Sequence, residues 1–173
     1  MENLSNFSAT PKLGFGKAVK KVLSNVINFK GRARRSEFWW AALAFFIFNV
    51  VASAFLSAFP GVSTIVSFLL SLLMLAVTVR RLQDSGHSAW WEYINFIASL
   101  VMGLYVQFGG YMDAVQAVNP NPADMMNCIA SPLFWIPAAV DTVTGIAVFI
   151  FCLFDSQVGP NKYGDSPKYV LTE

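Results

Sequence analysis

Charged residues are absent from 42 consecutive positions, Phe38 to Val79, and this gap gives the first structural prediction. A helix rises about 1.5 Å per residue, so such a stretch extends about 63 Å, twice the roughly 30 Å of a bilayer's hydrocarbon core. Pro60-Gly61 lies near the middle and is a turn signal. The pattern therefore predicts two membrane helices, at about 38–58 and 62–80.

Two further apolar stretches follow, Tyr93–Tyr111 and Leu133–Phe154, the second interrupted only by Asp141. Both are apolar on all sides, whereas a helix at the surface of a soluble protein keeps one polar face. They predict a third and a fourth span at about 93–111 and 133–154. The segment between them, 112–132, is polar and rich in Asn and Pro, which predicts an external loop.

The region before the first span predicts an amphipathic helix over about 13–30. Val19, Val22 and Leu23 share one face with other apolar residues, and Lys17 and Lys20 lie on the opposite face. Such a helix either lies in the membrane surface or packs its apolar face on protein. Residues 1–12 predict a flexible tail, 31–158 the membrane domain and 159–173 a C-terminal tail. The predicted fold is an all-α polytopic membrane protein, a four-transmembrane-helix bundle preceded by an amphipathic interfacial helix.

Basic residues are distributed on one side of this predicted topology. Eight of the 12 Lys and Arg precede the first span, Arg80 and Arg81 open the loop after the second span, and Lys162 and Lys168 lie in the C-terminal tail. Loops rich in Lys and Arg remain in the cytoplasm. We therefore expect both termini to be cytoplasmic.

Composition argues against a soluble enzyme. Hydrophobic residues make up 55% of the chain and charged residues 13%, about half the roughly 25% of an ordinary soluble domain. The mean hydropathy is +0.53. Cys128 falls in the predicted external loop and Cys152 near the inner end of the predicted fourth span, so both are expected to be free thiols. We expect a lipid bilayer with anionic headgroups as partner, together with a homo-oligomer or another membrane protein, and no nucleic acid.

Few residues carry recognisable chemistry. No metal-ligand spacing, phosphate-binding loop or nucleophile elbow is present in the sequence, and we assign no catalytic residue, metal or cofactor. Asp141 is the one acid well inside a predicted span, where a carboxylate costs about 2.5–3.5 kcal/mol. Asn49 and Gln107 are candidate partners at similar depth. Asp141 is either a proton- or ion-binding group of a small transporter or channel component, or a structural hydrogen-bonding residue.

Three polar clusters are expected to meet on the cytoplasmic face. Their arginines either bind lipid phosphates or a protein partner, or pair with Glu37 and Asp84 and clamp the helix ends. Another alternative is an enzyme acting on lipid, with Asp84 and His87 as acid and base. The candidate residues are Gly31, Arg32, Arg35, Glu37 and Trp39 in the first cluster, Arg80, Arg81, Asp84, His87, Trp90 and Trp91 in the second, and Asn161, Tyr163 and Gly164 in the third.

The same clusters carry a family resemblance. The motifs are Gly31-Arg32…Arg35…Phe38-Trp39, then Arg80-Arg81-Leu82…Asp84…Ser88…Trp90-Trp91, then Gly159…Asn161…Tyr163-Gly164…Pro167. In this order they resemble the domain-of-unknown-function 805 family of small bacterial inner-membrane proteins, over about residues 22–168. The resemblance implies a multi-pass helical protein of the bacterial inner membrane with no established activity. The chain departs from the family pattern at Gln83, where the family often has His, and at His87 and Ala89.

Overall fold

The structure is a computed structural model that describes residues 6–56 and 58–172. Its main elements are helices, and two short strands lie near the ends of the chain. In order, they are β1 (Phe7–Ala9), α1 (Phe15–Leu23), α2 (Arg35–Phe55), α3 (Pro60–Asp84), α4 (Trp90–Phe108), α5 (Tyr111–Gln116), α6 (Pro122–Ala130), α7 (Pro132–Leu153) and β2 (Tyr169–Leu171).

The chain divides into two compact units. The first unit contains the described residues up to Ala89 and those from Ile150 onward, so it holds α1, α2, α3, both strands and the last turn of α7. The second unit is Trp90–Phe149 and holds α4, α5, α6 and the rest of α7. In the second unit, the Tyr105 hydroxyl donates a hydrogen bond of 2.9 Å to the Cys128 carbonyl and thereby joins α4 to α6.

The core of the first unit surrounds the C-terminal part of α3. Residues 75–85 of this helix and its cap are all buried. α1 contributes Ala18 and Val22 to this core, and α2 contributes Phe38 and Ala41. The buried stretch of α3 includes two arginines and an aspartate, so polar partners must be supplied within the fold.

Three helices in the described part of the chain are long and apolar enough to cross a membrane: Arg35–Phe55, Gly61–Asp84 and Pro132–Leu153. They correspond to the first, second and fourth predicted spans and support an all-α membrane protein. α4, at the place of the third predicted span, is helical over 19 residues that include Glu92, Asn95 and Gln107.

The two ends of the chain are joined by a small antiparallel sheet. Phe7, Ser8 and Ala9 pair with Leu171, Val170 and Tyr169. Thr10 extends the ladder by donating its backbone N–H to the Lys168 carbonyl at 2.7 Å. The predicted flexible tail over 1–12 is thus wrong for residues 7–9, whose backbone groups find partners near the other end of the chain. Residues 1–5 of that prediction lie outside the described residues.

Two other segments differ from their predictions. The amphipathic helix is shorter than 13–30, because α1 ends at Leu23 and the amides of Asn25 and Asn28 then bond locally to the backbone and to each other. The segment 112–132 is not all loop, since it contains most of α5 and all of α6. α6 begins at Pro122, and the Asn121 side chain accepts the backbone N–H of Ala123 as an N-cap.

Candidate functional site

The first unit brings the three polar clusters of the sequence together around one carboxylate. The side chain of Asp84, in the last turn of α3, is fully buried. It accepts hydrogen bonds from Arg32, from Arg81 and from the Ser156 hydroxyl, which lies 2.5 Å from Oδ2. We call Arg32, Glu37, Arg80, Arg81 and Asp84 the buried charge cluster.

Arg32 joins the segment before α2 to the segment after α7. Its Nε lies 2.9 Å from Asp84 Oδ1, and its Nη1 donates to the Gly159 carbonyl at 2.7 Å. Its Nη2 donates to the Gln157 carbonyl at 2.5 Å. The preceding Gly31 has φ +94°, a conformation that side chains rarely tolerate. A glycine here therefore lets the chain turn so that Arg32 enters the cluster.

Arg81 joins the end of α3 to the end of α7. Its Nη1 lies 2.5 Å from Asp84 Oδ2, and its Nε donates to the Cys152 carbonyl at 3.3 Å. Its Nη2 donates to the Phe154 carbonyl. The last four carbonyls of a helix have no partner within the helix. Arg81 satisfies carbonyls at the C-terminal end of α7 and places a cation where the helix dipole favours one.

Glu37 forms the second half of the buried charge cluster. Its side chain is fully buried, with Oε1 2.9 Å from Arg80 Nη1 and Oε2 2.7 Å from Lys21 Nζ. Arg80 is nearly buried as well, whereas the Lys21 side chain is 41% exposed. These contacts tie α1, the first turn of α2 and the last turns of α3 to one another.

The third cluster, in the segment after α7, bonds to the end of α3. The Asn161 amide donates to the Gln83 carbonyl at 3.0 Å and to Gln157 Oε1 at 2.9 Å. The backbones of Asn161 and Gly164 exchange two hydrogen bonds of 3.0 Å, and Gly164 has φ +121°. Tyr163 lies within this turn, and the Lys162 ammonium is 4.9 Å from its ring centre.

The arginines of the cluster thus bond to partners within the chain. The sequence left two roles open for these arginines, binding of an external partner or pairing with Glu37 and Asp84. In the structure, Arg32 and Arg81 pair with Asp84, and Arg80 pairs with Glu37. Arg35 differs, because it is exposed at the start of α2. Sequence reasoning missed Arg34, whose guanidinium donates to the Thr10 hydroxyl and to the Pro11 carbonyl.

Asp84 and His87, the acid and base of the alternative enzyme, make different contacts in the structure. The contacts of Asp84 are those given above, and the His87 ring stacks on Phe151 with ring centres 3.9 Å apart. His87 Nδ1 lies 3.1 Å from the Ser85 hydroxyl. Burial lowers the pKa of His87 and outweighs a hydrogen bond with the Ser85 backbone, so the imidazole is neutral at pH 7.

The candidate tryptophans occupy more exposed positions. Trp39 is half-buried and packs edge-on against Phe38, with ring centres 5.1 Å apart. In the second unit, Trp90 and Trp91 are exposed in the first turn of α4, and the Trp90 ring lies 5.9 Å from that of Tyr93. Amphipathic rings of this kind suit the depth of lipid headgroups.

A surface ion pair holds the C-terminal segment. Burial acts to raise the pKa of Asp155, but hydrogen bonds from Lys168 and from the Ser156 backbone hold that pKa below its usual value. Burial acts to lower the pKa of Lys168, and the contacts with Asp155 and Tyr169 raise it above its usual value. Both groups are therefore charged at neutral pH, although solvent screening leaves such a pair with little stabilising effect.

The intramembrane polar residues have partners that the sequence did not predict. Asp141 of α7 accepts hydrogen bonds from Asn95, at 3.1 Å, and from Ser99, both on α4. Glu92 is also buried in the second unit and interacts electrostatically with Asp141. Asn49 instead accepts a hydrogen bond of 3.1 Å from Ser67 in the first unit. The signal for Asn95 and Ser99 was their spacing of four residues, which places both on one face of α4.

Comparison with known proteins identifies relatives that are described as inner membrane proteins. The chain is 38% identical over 86 residues to Inner membrane protein YhaH of Escherichia coli strain K12, a match that covers 44% of this chain and 70% of YhaH. It is 34% identical over 80 residues to Inner membrane protein YhaI of the same strain, covering 44% of this chain and 68% of YhaI. No solved structure matches the chain.

The family match covers most of the chain and includes the three motifs except Pro167, the last residue of the third. The model of the family described as Protein of unknown function (DUF805) matches residues 26–165. Together with the apolar helices, these relatives identify a bacterial inner-membrane protein. The chain belongs to the DUF805 family, as its motifs predict.

Proposed function

We propose that this chain crosses the inner membrane four times, through α2, α3, α4 and α7, with both termini in the cytoplasm. Its basic cytoplasmic face binds anionic lipid headgroups and catalyses no reaction. The topology is supported by the positions of the 12 Lys and Arg, since residues 36–79 and 82–161 contain none. These gaps contain both connections that the proposal assigns to the outside.

The binding face is assigned to α1, because the buried arginines already have partners within the chain. Lys17 and Lys20 of this helix are exposed. On the same helix, Phe15 and Leu23 are 47% and 57% exposed. A helix that exposes both large apolar side chains and lysines suits the boundary between headgroups and acyl chains. This juxtaposition is the observation that carries the proposed function.

α1 is held at the beginning of the first span. The Trp40 indole nitrogen donates to the Leu13 carbonyl at 3.0 Å, and the Trp40 and Phe15 rings meet edge-on with centres 5.6 Å apart. Because α2 begins at Arg35 and enters the apolar region within a few residues, this contact supports an interfacial depth for α1.

The lysines give the first prediction. The double change Lys17→Gln and Lys20→Gln is expected to lower the preference of the protein for phosphatidylglycerol over phosphatidylcholine by about 30-fold, since each lysine near an anionic surface contributes about 1 kcal/mol. The preference is measured by mass spectrometry of the lipids retained on protein released from nanodiscs of mixed composition. Raising the salt concentration should reduce the wild-type preference, because salt screens surface charge.

The matched control is Lys162→Gln, which removes an exposed lysine from the C-terminal segment and should leave the preference unchanged. An unchanged preference in the α1 double variant contradicts lipid binding by this face. If that variant instead loses a co-purifying membrane protein while its lipid preference is unchanged, the face binds a protein partner.

A second candidate function, a small transporter or channel component of an oligomer, is favoured by the charge of the second unit. Residues 90–149 contain four acids and no Lys, Arg or His. Two of the acids, Glu92 and Asp141, interact with each other, and Asp141 also bonds to Asn95 and Ser99. Four short helices leave little room for a path within one copy, so this function would require several copies.

For this candidate, Asp141→Asn is expected to abolish proton flux into proteoliposomes, because the amide cannot exchange a proton. Flux is measured with a pH-sensitive dye enclosed in the vesicles under an imposed potential. Asp113→Asn, which changes an exposed acid of the same unit, should leave the flux unchanged. Equal flux through wild type and Asp141→Asn, or none through either, rules this candidate out.

A further inference from the structure

An apolar cleft of about 330 Å³ lies between α1, α2 and α3. Its walls include Val19 and Leu23 of α1, Ala44 and Phe48 of α2, and Met74 of α3. The volume falls within the range of about 300–1,000 Å³ that is usual for ligand sites in proteins. Because all the side chains that line it are Val, Leu, Ala, Phe or Met, the cleft suits a hydrocarbon chain and offers nothing to a polar ligand.

The cleft extends from the amphipathic helix along the first two spans. On α2 its lining begins at Ala41 and ends at Phe48, a distance of about 10 Å along the helix axis. Ala41 and Phe48 both lie within the segment that is apolar enough to cross a membrane. One end of the cleft therefore adjoins α1, and the other lies deeper in the apolar region.

Positive charge flanks the end that adjoins α1. Lys20 lies one turn before Leu23 and about 60° from it around the helix, so the lysine borders one edge of the cleft. Lys17 lies a further turn towards the N-terminus and about 120° from Leu23, on the face of α1 that is turned away from the cleft. Both are exposed, whereas Lys21 is paired with Glu37. The Lys20 ammonium beside an apolar cleft complements an anionic headgroup attached to an acyl chain.

We infer that the cleft binds one acyl chain of an anionic phospholipid whose headgroup contacts Lys20. This inference rests on the proposed lipid-binding function and adds a specific chain site to it. A lipid in this site differs from the lipids that surround the spans, because its chain lies between three helices.

The experiment uses the full chain in nanodiscs that contain phosphatidylglycerol or phosphatidylcholine with a diazirine group on one acyl chain. Irradiation followed by peptide mass spectrometry maps the crosslinks. In wild type, we expect phosphatidylglycerol crosslinks to concentrate in residues 41–48 and 70–74. Ala44→Phe should fill the cleft and reduce these crosslinks by about tenfold, equivalent to about 1.4 kcal/mol of binding free energy. Leu43→Phe, at an exposed position outside the lining, should have no effect.

Val19→Phe provides a second way to fill the cleft, from α1, should Ala44→Phe fail to fold. Uniform labelling along α2 and α3, or equal labelling by the two lipids, overturns the chain site. If the lysine variant loses its phosphatidylglycerol preference while Ala44→Phe and Val19→Phe label like wild type, the proposed function stands and the chain site is wrong. If neither preference nor localised labelling is found in wild type, both proposals fail.

Discussion

Asp84→Asn is expected to lower the free energy of unfolding by about 3–5 kcal/mol, the usual cost of removing one partner from a buried ion pair. The carboxylate is fully buried and faces two guanidinium groups, those of Arg32 and Arg81, whose side chains are themselves 1% and 0% exposed. The amide retains the shape of the side chain but leaves both cations without a counter-charge. We expect the largest loss of stability of any variant considered above.

This loss can be measured by unfolding the purified protein in increasing proportions of SDS at constant total detergent. The amount of folded protein in the membrane should fall in parallel, because a few kcal/mol is a large fraction of a protein's stability. Asp165→Asn is the matched control, since Asp165 is exposed in the C-terminal segment. A midpoint for Asp84→Asn equal to that of this control would contradict the role assigned to the buried charge cluster.

Glu37→Leu is expected to cost a similar amount, about 3–5 kcal/mol, because it leaves the nearly buried Arg80 without its carboxylate. The double variant Glu37→Leu and Arg80→Leu should be more stable than Glu37→Leu alone. Buried pairs that are replaced by apolar residues often lose little stability, since the desolvation penalty of both charges disappears. Among the described residues, the buried Nε and Nη2 of Arg80 have no hydrogen-bond partner, so this guanidinium is incompletely satisfied even with Glu37 present.

The same SDS titration gives the coupling between the two residues as a double-mutant cycle. Lys21→Gln serves as the control for the second ion pair of Glu37. It should cost under about 1 kcal/mol, because Lys21 is partly exposed and the Glu37 carboxylate keeps its pairing with Arg80. Additive costs for Glu37→Leu and Arg80→Leu would show that the pair does not act as a unit.

The third helix illustrates how far the fold could be predicted from sequence. The apolar run predicts a helix that ends near residue 80, whereas α3 continues to Asp84. The extra turn is stable because Arg80, Arg81 and Asp84 all find partners inside the protein. Hydropathy predicts which apolar segments are buried, but it cannot predict that a charged residue is buried when its counter-charge comes from a distant segment. Long-range pairing of this kind also explains why the strands near the two ends were missed.

The candidate site could be predicted in part. The sequence predicts that Arg32, Arg81 and Asp84 lie on the same side of the membrane, and their opposite charges predict pairing as one of two outcomes. The carbonyls of Cys152 and Phe154, which accept from Arg81, could not be predicted, because every residue has a carbonyl. Glu92 lies just before the apolar stretch Tyr93–Tyr111, where an acid is already favourable at the N-terminus of a helix, so the sequence carries no signal of its interaction with Asp141.

The sheet formed by β1 and β2 restricts the membrane topology in a way that is independent of charge. Residues 7–9 and 169–171 are bonded backbone to backbone, so both must occupy the same aqueous compartment. A polypeptide with two segments in the same compartment passes through the membrane an even number of times between them. Three crossings, the number that the three most apolar helices alone would give, would leave β1 and β2 in different compartments. The pairing of β1 with β2 therefore supports the proposed fourth crossing through α4, for either orientation of the protein in the membrane.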